Sequence, residues 1–125
     1  MKSKILKPDM FEDERGTIRS FPIDVPAKEY NLMITKQGDM RGFHYHPHFD
    51  EYMLVVDGEC EFTEFSDDGD HIKLILKVGD SVVIPKNTPH TFLAITDFKF
   101  VSLLTEQWDK SFPPIIKVDN NGQPI

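Results

Sequence analysis

The sequence predicts an all-β fold in which short antiparallel strands close into a double-sheet jelly-roll barrel. Apolar and polar residues alternate over short segments, and helical periodicity is nearly absent. Turn-forming Gly, Pro and Asp residues separate these segments. Closing about eight strands into two sheets removes most open edges and leaves an interior cavity. Side chains on the inner faces of such strands point into that cavity.

Strand candidates follow one another along most of the chain. They cover residues 16–23, 30–36, 41–46, 51–56, 59–65, 71–77, 81–85, 90–95 and 98–105. The Asp57-Gly58 pair between two apolar runs is a tight hairpin signal. The acidic segment 66–70 is typical of the tip of a longer hairpin. This succession of strands and turns indicates an antiparallel barrel.

Length and charge narrow the class of protein. A chain of 125 residues can bury one core, so we expect a single domain over residues 1–125. A net charge of −7 disfavours nucleic acid or an anionic membrane as a partner. No run reaches the roughly 20 apolar residues of a membrane span, and residues 1–11 lack the apolar stretch of a signal peptide. We therefore expect a cytoplasmic protein. The lone Cys60 excludes an internal disulfide and is expected to be a small core residue.

The segment from Arg41 to Glu51, RGFHYHPHFDE, carries the strongest functional signal. His44 and His46 share one face of a strand because side chains two residues apart point the same way. A short loop then returns Glu51 on the neighbouring strand. This spacing brings three metal ligands together.

A fourth candidate ligand lies downstream. A predicted strand ends at Pro85, a turn follows, and His90 opens the next strand. Three imidazoles and a carboxylate suit one divalent metal ion such as Zn, Fe, Mn or Ni, and the sequence leaves its identity open. His48 is expected at the mouth of the site, either as an acid or base or simply solvated, and His71 at the surface.

These two segments resemble the paired motifs of the cupin superfamily. In the first motif, His44 and His46 are followed after four residues by Glu51 and after six more by Gly58. The second motif matches at Gly79, Pro85, Asn87 and His90. Asn87 stands where the family has a turn glycine, which Asn tolerates because it adopts the left-handed conformation more readily than most residues. Ala94 stands where the family often has Asn, and Asp39 where it has its leading glycine.

A narrower resemblance extends over most of residues 10–108. Residues 11–16, FEDERG, are similar to the F-x-D-x-R-G entry of the dTDP-4-dehydrorhamnose 3,5-epimerase-like cupins, and residues 41–44 to their R-G-x-H segment. The RGFHYH run, followed by Glu51 and an LVV-x-G strand, looks closer to sugar-nucleotide 3,4-ketoisomerases and to the metal-bearing epimerase domain of capsular sugar synthesis. The resemblance implies a homodimer that moves a proton next to the carbonyl of a nucleotide-linked 4-keto hexose.

Two assignments of the base stay open. A histidine bound to metal cannot also take a proton, so a metal bound by His44 and His46 leaves His48, Glu106, Tyr52 or another group as the base. Without a metal, His44 is the base and His46 its partner. Epimerases of this type carry a tyrosine on the late strand, whereas residues 103–108 read LLTEQW. The missing tyrosine favours ketoisomerisation over epimerisation.

Substrate-binding candidates follow from the same resemblance. Arg41 and Arg15 suit a phosphate, since a guanidinium bonds two phosphate oxygens at once, with Lys36 in support. The alternative role of Arg41 and Arg15 is a surface salt bridge with an acidic residue. Arg41 has the opposite parity to His44, so it reaches the cavity only if Gly42 allows a bulge. Trp108 is expected either to stack on a base or sugar of the substrate or to cap the core or a dimer contact. Tyr52 is a further candidate for substrate binding.

Three functional classes remain open from the sequence alone. They are a sugar-nucleotide isomerase or epimerase, a metal-dependent oxygenase or lyase acting on a small acid, and a non-catalytic small-molecule-binding protein. The fold does not choose among them. We also expect the homodimer to form through the apolar outer faces that carry Phe43, Tyr45, Leu93 and Ile95.

Overall fold

The structure is a computed structural model that describes residues 1–125, and it is built almost entirely of strands. In chain order these are β1 (Lys4–Leu6), β2 (Asp9–Asp13), β3 (Gly16–Ser20), β4 (Glu29–Thr35), β5 (Met40–Tyr45), β6 (Glu51–Asp57), β7 (Glu59–Glu64), β8 (Ile72–Lys77), β9 (Ser81–Ile84), β10 (His90–Ala94), β11 (Phe98–Leu104) and β12 (Ile116–Lys117). One short 3-10 helix covers Trp108–Lys110. None of the helical structure is long or apolar enough to cross a membrane.

Two five-stranded sheets form the barrel. The first has the order β1-β9-β6-β11-β4 and the second β12-β5-β10-β7-β8, while β2 and β3 form a separate hairpin. All pairs are antiparallel. Side chains of both sheets form one buried cluster, which consists of Met53, Val55, Cys60, Phe62, Leu76, Val82, Ile84, Phe92, Ala94, Phe98 and Phe100. The predicted all-β jelly-roll class is confirmed.

Each of the nine predicted strands is present, with ends that differ by a few residues. Strands β1, β2 and β12 are not among the strands that the sequence predicted. These strands are short or exposed, so they lack the alternating apolar pattern that marks a strand with one buried face. Cys60 lies in the core as expected, and burial raises the pKa of its thiol to about 12.

A bulge in β5 sets the direction of the residues around the site. Gly42 and Phe43 have φ angles of 106° and 54°, and the register between β5 and β10 shifts between His90 and Thr91. This is the bulge that Arg41 requires in order to face the cavity. A Cβ atom on Gly42 would lie 2.7 Å from the backbone oxygen of His90. Only glycine therefore fits both the conformation and the space.

We expect Gly42→Ala to destabilise the protein by about 1–3 kcal/mol or more, because it adds a clash to an unfavourable backbone conformation. Gly38→Ala is the matched control, since Gly38 also has a positive φ of 86° but has nothing within 4 Å of an added Cβ. Urea unfolding of both variants measures the difference. Equal destabilisation would show that the contact with His90 contributes nothing.

Two groups of exposed apolar side chains lie on β4 of the first sheet and on the β2–β3 hairpin. On β4, Tyr30, Leu32 and Ile34 are exposed, and the β2–β3 hairpin exposes Met10, Phe11 and Ile18. The residues expected at the dimer contact, Phe43, Tyr45, Leu93 and Ile95, are half-buried instead. The unpredicted strand β12 pairs along β5 and the ring of Phe65 packs on Phe43, so this second face is already partly covered within the chain.

Candidate metal centre

The barrel brings His44, His46 and His90 together. His44 is on β5, and His46 is the first residue after the end of that strand. His90 is the first residue of β10 and lies opposite His44 in the antiparallel pairing. One ring nitrogen of each histidine lies within 4.8 Å of those of the other two. His46 and His90 are buried, and His44 is half-buried. Three imidazole nitrogens are thus close enough together to hold a metal ion, and the spacing predicted this proximity.

Glu51, at the start of β6 in the other sheet, approaches two of these histidines. Its Oε1 atom lies 3.5 Å from Nε2 of His46 and 3.8 Å from Nε2 of His90. The hydroxyl of Ser102 donates a hydrogen bond of 2.6 Å to the other carboxylate oxygen. Ligand atoms about 2.1 Å from a tetrahedral ion lie roughly 3.4 Å apart. The carboxylate therefore has the spacing of a fourth ligand beside His46 and His90.

Backbone carbonyls orient both buried imidazoles. Nδ1 of His46 donates to the carbonyl of Pro114 at 3.2 Å, and Nδ1 of His90 donates to that of Thr88 at 2.8 Å. Because a carbonyl only accepts, each Nδ1 carries the proton and each Nε2 holds a lone pair. Neither Nε2 atom has a hydrogen-bond partner, although both are buried. Two unpaired nitrogen lone pairs beside a carboxylate fit a cation, and ligating histidines are typically held in this way.

The buried setting keeps His44 and His90 neutral. Burial lowers the pKa of His90 to about 4. Burial, together with the nearby His90 and His46, lowers the pKa of His44 to about 3. Neutral imidazole is the form that binds metal, whereas a base with a pKa near 3 is weak at neutral pH. The site therefore suits His44 better as a ligand than as a base.

Glu51 is ionised in this setting. Burial alone would raise the pKa of its carboxyl, but the adjacent imidazoles of His46 and His90 and the Ser102 hydroxyl together lower it to about 2. A buried carboxylate next to neutral imidazoles lacks a compensating positive charge, which a divalent cation would provide.

Two cavities open onto this centre and share Met33, His46, Glu51 and Trp108 in their walls. The first, which we call the Arg41 lobe, has a volume of about 320 Å³ and is also lined by Met40, Arg41, Gly42, His44, Phe92 and Phe100. The second, which we call the Glu29 lobe, has a volume of about 450 Å³ and is also lined by Glu29, Asn31, Ser102, Leu104 and Asp109. A ligand at the centre can therefore extend in two chemically different directions.

The segment Trp108–Pro114 covers the centre from one side. The ring of Trp108 lies 6.3 Å from that of His46 and 6.2 Å from that of Phe49, which itself stacks on His46. Nε2 of His48 lies 3.1 Å from the carbonyl oxygen of Phe112. His48 lines neither lobe, so in this structure it contacts the covering segment instead of the cavity.

Several predicted residues lie away from the cavity. Tyr52 follows Glu51 and therefore points to the opposite face of β6, where it lines a small apolar cavity with Leu6 and Phe21. Its expected role in substrate binding or as a base is corrected on this ground. Glu106 pairs with Lys28 at the surface.

Two of the residues expected to contact a phosphate also lie away from the cavity. Arg15 is in the turn of the β2–β3 hairpin and pairs with Asp13. Lys36 is exposed in the turn after β4. Neither side chain lines a lobe of the centre, so the structure of one chain does not support their expected roles. Arg41 and Trp108 do line the cavity, as predicted.

Sequence reasoning missed Glu29, Asn31, Ser102 and Asp109. Glu29, Asn31 and Met33 alternate along β4 and are its less exposed residues. Glu29 and Asn31 could have been found from the sequence, because they are polar residues at inward positions of a strand, which are otherwise apolar. Asp109 depends on the path of the chain after β11, for which the sequence held no signal.

Comparison with known proteins identifies the class. Residues 31–104 match the family described as Cupin domain, and the chain belongs to this family. The cupin resemblance predicted from the two motifs is thereby confirmed. No curated protein matches the chain.

Solved structures share the fold over nearly the whole chain. A 3,4-ketoisomerase from Helicobacter canadensis has a TM-score of 0.80 at 24% identity, covering 94% of this chain and 91% of its own. The TDP-quinovose 3,4-ketoisomerase from Campylobacter jejuni has a TM-score of 0.80 at 20% identity, covering 92% of each chain. A 3'-monoepimerase from Streptomyces bikiniensis, in complex with dTDP-quinovose, has a TM-score of 0.81 at 18% identity, covering 95% of this chain and 70% of its own. At these identities the likeness shows the fold.

Proposed function

We propose that this cupin is a metal-dependent isomerase of a nucleotide-linked 4-keto sugar, and that it moves a proton at the carbon next to the carbonyl. The observation that carries the proposal is the cluster of three histidines and Glu51, of which His44, His46 and Glu51 line a cavity together with Arg41. Structures with the same fold include a 3,4-ketoisomerase in complex with TDP-4-keto-6-deoxyglucose. The missing late tyrosine favours ketoisomerisation over epimerisation.

In this proposal His44, His46, His90 and Glu51 hold one divalent ion, which is Zn, Fe, Mn or Ni. Such a cation supplies positive charge next to a carbonyl oxygen, which favours loss of a proton from the adjacent carbon. Pro114 and Thr88 keep the Nε2 atoms of His46 and His90 available through their carbonyls. Trp108 and Phe49 pack around His46 and limit the access of water.

The proton acceptor is restricted by position. Tyr52, Glu106 and His48 do not line either lobe. Apart from Glu51, which is a proposed metal ligand, the acidic residues that line a lobe are Glu29 and Asp109. We assign the proton transfer to one of these two carboxylates when the metal is bound. In the metal-free alternative, His44 takes this role.

Arg41 is the proposed phosphate contact. Its Nε atom donates to the hydroxyl of Thr35 at 2.6 Å, and Nη2 donates to the carbonyl of Ile34 at 2.8 Å. These bonds hold the guanidinium in place and leave the Nη1 donors for phosphate oxygens. The nucleotide diphosphate then occupies the Arg41 lobe and the sugar lies over the histidines.

Isomerisation of a 4-keto sugar in deuterated water tests the activity. We expect NMR to show deuterium at the carbon next to the carbonyl of TDP-4-keto-6-deoxyglucose. Arg41→Ala should raise KM by about tenfold to a hundredfold, because a charged hydrogen bond contributes roughly 1.5–3 kcal/mol. Lys36→Ala, which removes a positive charge outside the cavity, is the matched control. Absence of both exchange and nucleotide-sugar binding would contradict the proposal, and oxygen uptake with Fe(II) would favour an oxygenase.

We also propose that residues 1–125 form one cytoplasmic cupin domain that associates as a homodimer. The exposed apolar residues of β4, Tyr30, Leu32 and Ile34, support a dimer contact on the first sheet, because an apolar strand face of this kind is unfavourable in water.

Sedimentation at micromolar concentration is expected to show a dimer of this 14.4 kDa chain. Leu32→Glu should shift the wild-type dimer to a monomer, since it places a charge in the apolar contact. Val78→Glu is the control, because Val78 is equally exposed, 58% against 60%, but lies in the turn after β8. A wild-type monomer, or equal effects of the two substitutions, would contradict the proposed contact.

A further inference from the structure

We propose that the Glu29 lobe selects the sugar by charge: it accepts a hexose whose substituents are neutral or carry an amine, and it excludes one that carries a carboxylate. The inference rests on the proposed function, because it concerns the sugar of a nucleotide-linked substrate. It assigns a role in specificity to Glu29 and Asp109, two residues on different elements of the fold.

The charges that line this lobe have one sign. Glu29, Glu51 and Asp109 contribute three carboxyl groups, and neither Lys nor Arg is among the lining residues. The Arg41 lobe, on the other side of Met33 and Trp108, contains the guanidinium. A diphosphate is therefore attracted to the Arg41 lobe and repelled from the Glu29 lobe, which leaves the latter for the sugar.

The carboxylate of Glu29 is held in place by the chain. Its Oε1 atom accepts a hydrogen bond of 3.2 Å from the backbone N–H of Trp108, and Oε2 accepts one of 3.0 Å from the side-chain amide of Asn31. Each oxygen keeps a second lone pair. A fixed carboxylate with free lone pairs accepts hydrogen bonds from hydroxyl or ammonium groups. It has no proton to donate in a hydrogen bond to another carboxylate.

An independent observation shows that this lobe leads to a ligand site. His46 is 4% exposed, lines the lobe, and its Nε2 atom has no hydrogen-bond partner. The same atom faces Glu51 at 3.5 Å. A molecule that reaches His46 through this lobe therefore lies beside the carboxylates of Glu29 and Asp109.

A cation at the centre does not reverse the selection. A divalent ion bound by Glu51 and neutral histidines leaves one net positive charge, whereas Glu29 and Asp109 bring two negative charges to the same lobe. The remaining field repels a carboxylate, and it does so strongly because the partly enclosed cavity screens charges less than bulk water does.

Isothermal titration of the metal-loaded protein with dTDP-glucose and dTDP-glucuronate tests the inference. These ligands share the nucleotide and the diphosphate and differ in a hydroxymethyl or carboxylate group on the sugar. Neither is a 4-keto sugar, so binding is measured without turnover. We expect dTDP-glucose to bind at least tenfold more tightly. Glu29→Gln and Asp109→Asn, separately and together, should reduce this ratio, mainly by improving the binding of dTDP-glucuronate.

Asp67→Asn is the matched control, because it removes a carboxylate from the exposed hairpin tip and should leave the ratio unchanged. Asp109 is itself exposed, so its variant provides the test even if Glu29→Gln does not fold. Equal affinities of the wild type for the two ligands, or an unchanged ratio in the double variant, would overturn the inference. Failure of dTDP-glucose, dTDP-glucuronate and dTDP alone to bind would instead overturn the proposed function.

Discussion

We expect His90→Ala and His46→Ala each to abolish metal binding by this protein, whereas His48→Ala should leave metal occupancy nearly intact. The reason is geometric: His46 and His90 point unpaired Nε2 atoms at the carboxylate of Glu51, while His48 faces the carbonyl of Phe112. Loss of a direct ligand should reduce affinity by more than the 10- to 100-fold, roughly, that follows loss of a residue supporting a ligand. Elemental analysis after incubation with Zn, Mn, Ni or Fe and passage over a chelating resin measures occupancy.

His48→Ala is the control for this experiment, since it removes an imidazole from the same loop without touching the ligand nitrogens. It should change turnover at most. Full retention of metal in His90→Ala, or equal loss in His48→Ala, would mean that the ligands are wrongly assigned. If wild-type protein prepared without chelator takes up none of the four metals, the metal-free mechanism with His44 as base is favoured.

We expect acid to destabilise the metal-free protein, with the loss of stability beginning near pH 6.5. The ordinary pKa of histidine is 6.5, and in the folded chain it is lowered to about 3 for His44 and about 4 for His90. Below pH 6.5 the unfolded chain takes up protons that the folded chain does not, so the free energy of unfolding decreases. The pKa of Glu51, lowered from 4.5 to about 2, has the same sign and extends the loss to lower pH.

Urea unfolding in the presence of a chelator, from pH 8 down to the acid limit of folding, measures this dependence. His44→Asn should make the decrease between about pH 6.5 and 4 shallower, because it removes one of the buried groups that resist protonation. His71→Asn, which changes a histidine of the 66–71 hairpin region away from the centre, is the control for loss of a histidine. A free energy of unfolding that rises on acidification through pH 6.5 would show that the folded site prefers imidazolium and would contradict the neutral assignment.

Local sequence patterns predicted the barrel and the convergence of the three histidines. Alternation placed the nine main strands, and the spacing of His44, His46 and His90 within the motif predicted that their side chains meet. Asn87 has the left-handed conformation, with φ of 61°, that its match to the turn glycine of the cupin motif implied, and the bulge that Arg41 would need is present at Gly42. These features depend on periodicity and backbone sterics over a few residues, which a sequence displays directly.

Contacts between distant parts of the chain decided the rest. The tautomer of His46 depends on the carbonyl of Pro114, 68 residues away, and any residue can supply a carbonyl, so the sequence has no mark of this bond. The two-residue strand β12, which helps to cover the face expected to form the dimer, is too short to show a period. The acidic character of the Glu29 lobe arises only where Glu29 and Asp109 meet across the cavity. The sequence by itself determined which residue types carry the chemistry and on which strands they lie; long-range packing determined how they are oriented and what charge surrounds them.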